Sequence, residues 1–230
     1  MRLLILKSSV ISLLSCLVTF PYFYYLVFRV SPAITQKDYS NPWGLLLTEL
    51  FLLLIVCLLA STSGLVFASR YGLPGFWGRK PYPYDIMRLI LIGGGMVCLS
   101  YIMFDRHFYL ISPLSYPRGI VYLITLPLKG ALTEEVILRL CMVTLVYGLL
   151  KKRFASIVVV SFLSSMFGLQ YFKYIGVDLQ AGNLFITQLL LSFTANFILG
   201  YLFITKGLVH SMIMKFILCM KYPFINLLMV

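Results

Sequence analysis

"KGALTEEVILRLCMV", residues 129–143, sets Lys129, Glu134, Glu135 and Arg139 inside a run otherwise as apolar as a membrane helix. An unpaired charge at mid-bilayer costs roughly 2.5–3.5 kcal/mol or more, so such residues face a bundle interior or a wet cavity. Six ionisable residues fall within apolar runs: Glu49, Lys129, Glu134, Glu135, Arg139 and Lys215. The stretch therefore reads as the inward face of a helix bundle, and the remaining sequence must supply the bundle.

Composition does so. The 230 residues are 61% hydrophobic and only 11% charged. Soluble domains run nearer half apolar and a quarter charged. A soluble chain of this composition would need a core larger than 230 residues can enclose. The fold class is all-α, a polytopic transmembrane bundle in one integral membrane domain spanning residues 1–230, with no internal repeat or second domain. The net charge of +12 does not indicate nucleic acid, because no basic stripe is interleaved with exposed aromatics. The basic residues flank apolar runs instead, and the partner they imply is the lipid bilayer. Cys16, Cys57, Cys98, Cys141 and Cys219 all lie in apolar stretches without paired spacing, which suits small buried residues better than disulfides or a metal cluster.

"MRLLILKSSVISLLSCLVTF" imitates a signal peptide, but the apolar run continues past Cys16, so it reads as an uncleaved first span. A helix needs about 20 mostly apolar residues to cross a bilayer. That length places spans near 8–29, 44–68, 88–104, 119–132, 133–150, 155–172, 183–204 and 207–228. The fourth and fifth are one long bent helix or two helices, which gives about seven spans, six to eight at the limits. With the N-terminus in the cytoplasm, ten basic residues fall on inner segments and six on outer ones, the bias expected of a plasma membrane protein. The lack of an organelle signal is compatible with a bacterial inner membrane. Residues 70–88 read as a turn-rich inner loop. Residues 105–119, broken by Pro113 and Pro117, read as a short outer segment carrying a solvated His107.

Spacing separates the two adjacent carboxylates. Glu135 and Arg139 are four apart with the acid first, the better orientation for a helical ion pair. Glu134 is rotated from Glu135 by about 100°. Glu135 and Arg139 thus form a structural clamp, leaving Glu134 to face a cavity where a carboxylate could activate water. The competing reading is a buried polar network that only fixes helix packing.

"EEVILR" (134–139) resembles the first motif, Glu-Glu-x-x-x-Arg, of the CPBP intramembrane proteases. These are the type II CAAX prenyl endopeptidases and the related bacteriocin-processing and self-immunity proteins. The resemblance covers about residues 120–220 and includes the basic turn "KKRFA", a Ser-rich span, and "FILGYLFITKGLVHSMIMKF". It implies a glutamate-dependent endopeptidase acting on membrane-protein or prenylated peptide substrates, with Glu134 polarising water and Glu135 and Arg139 supporting it. The family's second motif, Phe-x-x-x-His, aligns with "FGLQY", which puts Tyr171 in the histidine place beside Gln170. Its third motif, His-x-x-x-Asn or Asp, fits in two registers. One gives the histidine role to His210, with Met214 in the Asn place; the other gives it to Lys215, with Cys219 following. Tyr171 is a poor base near neutral pH, since a free phenol has a pKa of about 10. Lys215 could stabilise an oxyanion. A divalent metal is implied by the family's usual description, but zinc sites take about three protein ligands. With one histidine nearby, no metal or other cofactor is expected. Three functions stay open: an endopeptidase, a catalytically lapsed relative with a binding or immunity role, and a small transporter subunit.

Overall fold

A computed structural model describes residues 2–32, 41–76, 78–174 and 183–228, with side chains described at residues 4–32, 41–76, 78–113, 115–170 and 183–228. Among the described residues there are seven long helices and no strand. Helix α1 is Arg2–Tyr25 continued by a π-turn, Leu26–Val30; α2 is Pro42–Arg70. Helix α3 runs through Pro83–Ser100, a π-turn at Tyr101–Asp105, and Arg106–Ile111. Helix α4 is Ile120–Lys129, two π segments at Gly130–Glu134 and Val136–Val143, and Thr144–Leu150. Helices α5, α6 and α7 are Arg153–Tyr174, Asn183–Lys206 and Leu208–Cys219, the last extended by Lys221–Leu228. Six of the seven are long and apolar enough to cross a membrane, and the chain is an integral membrane protein.

Local chemistry sets the helix ends. Pro42 and Pro83 open α2 and α3, where the missing N–H costs nothing. Asn41 caps α2 by accepting from the Gly44 N–H at 2.8 Å. Gly207, at φ +99°, makes the tight turn between α6 and α7. Gly75 and Arg79, from the segment between α2 and α3, fasten that turn: Arg79 N donates to the Lys206 carbonyl and Leu208 N to the Gly75 carbonyl, both at 3.0 Å. Pro21 in α1 and Pro127 in α4 each precede a π-turn, as expected where proline interrupts the i→i−4 ladder.

The expected spans at 119–132 and 133–150 are the single bent helix α4, which packs against α1, α2, α5, α6 and α7. Lipid tails are as apolar as leucine, so helices in a membrane associate through close packing and polar contacts rather than a hydrophobic driving force. Ser8, Ser12, Ser15 and Thr19, spaced along one face of α1, are all buried. Thr19 meets Thr133 of α4 at 3.0 Å, and Ser61 of α2 reaches the Ser8 carbonyl at 3.5 Å. Gly64 of α2 lies against the backbone of Leu140, where any side chain would collide. Among Gly93, Gly94 and Gly95, Gly93 makes the close contact, against Ile217 of α7 within the chain.

Two expectations are corrected. Helix α3 continues to Ile111, so the segment after it is shorter than 105–119. Asp105 is thereby fully buried rather than a loop acid. Glu49 is exposed, near the start of α2, and does not face the interior. Its position one to two turns inside the helix end lets the side chain reach the interfacial zone.

Candidate functional site

The π-turn at Gly130–Glu134 decides how the central charges meet. In an α-helix, residues five apart lie about 140° apart around the axis. A π-turn closes i→i+5 and stacks them on one face. Lys129 and Glu134 accordingly pair at 3.0 Å. From α7, Lys215 reaches the other carboxylate oxygen at 2.8 Å. Glu134 therefore lines a cavity, as its rotation from Glu135 implied, but between two ammonium groups. Opposite charges this near favour the ionised carboxylate. Lys129 also lies over the Tyr22 ring, 4.4 Å from its centre.

Glu135 points the other way, into the clamp. Its Oε2 lies 3.6 Å from Arg139 Nε, with both side chains fully buried. That distance is an ion pair rather than a hydrogen bond. Ser211 of α7 donates to the same carboxylate oxygen, and Arg139 Nη2 donates to Asn196 Oδ1 of α6 at 2.5 Å. Asn196 Nδ2 then donates to Ser192 Oγ at 3.3 Å. The network ties α4 to α6 and α7.

The cavity has a volume of about 530 Å³. Glu134, Lys129 and Lys215 lie on its wall, with Asn196, Ser192 and Cys219. A second cluster lies on the same wall. Asp105 accepts from Ser100 Oγ at 2.5 Å and Tyr116 OH at 2.7 Å, and pairs with Lys221 at 3.0 Å. Burial, and then the adjacent Asp105 charge, push the Tyr116 phenol above its ordinary range, so it stays a proton donor.

The two registers of the third motif cannot both face Glu134, because residues five apart on a regular α-helix point to different sides. Lys215 and Cys219 face the cavity. His210 is fully buried elsewhere, near the Asp85–Lys206 pair, which closes at 2.5 Å. Neither of the chain's two histidines lines the cavity. Tyr171 falls on α5, but its side chain lies outside the described residues; Gln170 is exposed. Among the described residues no three His, Cys, Asp or Glu side chains group closely enough to hold a metal. The donor set does not suit one either, since Glu134, the cavity-facing carboxylate of the central cluster, is engaged by two cations.

Asn196, Ser211, Asp105, Tyr116 and Lys221 are the polar residues that sequence reasoning missed. Asn196 and Ser211 had a usable signal, being isolated polar residues inside apolar spans. Fold and site together define a polytopic membrane protein with an internal, charge-lined cavity. No protein-family model matches the chain, and neither a curated protein nor a solved structure does.

Proposed function

We propose that the protein is a non-hydrolytic relative of the CPBP-type intramembrane peptidases, one that uses its cavity to bind a membrane-resident ligand. The observation that carries this reading is the engagement of Glu134 by Lys129 at 3.0 Å and Lys215 at 2.8 Å. A general base must accept a proton from water, and a carboxylate held by two cations is a weak acceptor. No histidine stands by to share the task. The fold-fixing network Glu135–Arg139–Asn196–Ser211 is complete without Glu134, which suits a scaffold whose architecture does not depend on hydrolysis. The basic ends of the helices favour a cytoplasmic N-terminus.

The endopeptidase reading keeps one specific support, the placement of Lys215 on the cavity wall where an oxyanion could be met. A cleavage assay in lipid, on a panel of membrane-protein and prenylated peptides, separates the two. Wild type and Glu134→Ala should both leave every peptide intact. Cleavage by wild type that disappears in Glu134→Ala would establish the peptidase instead.

A further inference from the structure

The central cluster is out of charge balance. Lys129, Lys215 and Arg139 stand against only Glu134 and Glu135, three cations to two carboxylates. No other described acid makes up the difference. Asp85 is paired with Lys206, Asp105 with Lys221, and Glu49 is exposed on α2. The unmatched charge is aimed into the cavity, because Arg139 is closed off in the clamp while Lys129 and Lys215 lie on the wall. Each ammonium has three donors, and Glu134 takes one from each.

Part of the remaining wall is greasy, with Val97, Phe104, Leu126, Leu138, Leu199 and Leu218, and the rest is polar, with the neutral Asp105–Lys221 pair on it. A volume of about 530 Å³ falls within the roughly 300–1,000 Å³ of small-molecule sites. That space is enough for one acyl chain. We infer that the cavity binds a single-chain amphiphile through an anionic oxygen head, carboxylate or phosphate, seated on Lys129 and Lys215 with its tail along that apolar wall. The inference rests on the binding reading above and names its ligand class.

The test is displacement of a fluorescent fatty acid with a free carboxylate from the full chain in zwitterionic nanodiscs at neutral pH. Palmitate and lysophosphatidate should compete at least about tenfold better than hexadecanol, the value of a charge-assisted contact. Their order tells carboxylate from phosphate. Lys215→Met should abolish that preference, whereas Glu134→Gln, which adds net positive charge, should strengthen anion binding several-fold. If Lys215→Met does not fold, Glu134→Gln decides alone. Equal competition by hexadecanol, equal competition by acetate, or weaker anion binding in Glu134→Gln would overturn the inference. Such a failure leaves the absence of peptide cleavage untouched, and cleavage would leave anion binding untouched, so the two readings fail separately.

Discussion

Glu134 and Glu135 are chain neighbours with opposite surroundings. The Glu134 side chain is 35% exposed to the cavity, whereas Glu135 and Arg139 are fully closed off. Removing a partner from a closed pair strands a buried charge, at about 3–5 kcal/mol. Arg139→Leu should therefore lower thermal stability in detergent far more than Glu134→Gln, whose carboxylate is only part-buried and borders the cavity. Equal melting shifts would contradict the division between clamp and cavity carboxylate. That division was legible from spacing alone, since four residues and about 100° are local properties of the chain. The lysines beside Glu134 were not. Lys129 is brought in by a π-turn whose register Pro127 does not specify, and Lys215 by the rotation of a helix about 80 residues further on. Asp105 was misread because Arg106, His107 and two prolines nearby imitate a loop, while its partner Lys221 is remote in sequence.

At the scale of elements, the contacts between helices depend on small residues at particular places. A β-carbon at Gly64 would strike the Leu140 carbonyl, whereas one at Gly94 would meet open space. Gly64→Ala should destabilise the α2–α4 contact by about 1–3 kcal/mol as overpacking. Gly94→Ala should stabilise by about 0.5–1 kcal/mol through helix propensity. Thermal unfolding of the two variants checks both signs, and a loss of stability at Gly94 would count against the packing of α3. The helices themselves were readable from apolar length. Their ends were less so, because α3 buries an acid near its end and α4 bends without breaking.

Across the whole molecule, six of the seven helices are long and apolar enough to cross a membrane, and the proposed orientation sets the connections between them on two sides. Residues 71–76, 78–82, 151–152 and 206–207 gather at one end, where Lys151 lies over Tyr71 at 4.1 Å. At the other end Asn226 donates to the Pro117 carbonyl at 3.1 Å. With basic residues retained in the cytoplasm, Lys80→Cys should resist a membrane-impermeant thiol reagent in intact cells. Arg118→Cys should label, each in a chain whose own cysteines are replaced. The reverse pattern would invert the proposed orientation. Composition made the membrane class legible; the function was not, because it depends on which face of α7 turns inward.

That rotation underlies the whole account, and a disulfide tests it most directly. A β-carbon built at Gly130 lies 3.7 Å from Cys219 Cβ, within the roughly 3.5–4.5 Å that a disulfide requires. With the other four cysteines replaced by alanine, Gly130→Cys should cross-link to Cys219 on mild oxidation in membranes. In the companion chain, which carries Gly130→Cys, Met214→Cys and Cys219→Ala, no cross-link should form. A bond in the companion and none to Cys219 would mean that α7 presents His210, not Lys215, to Glu134.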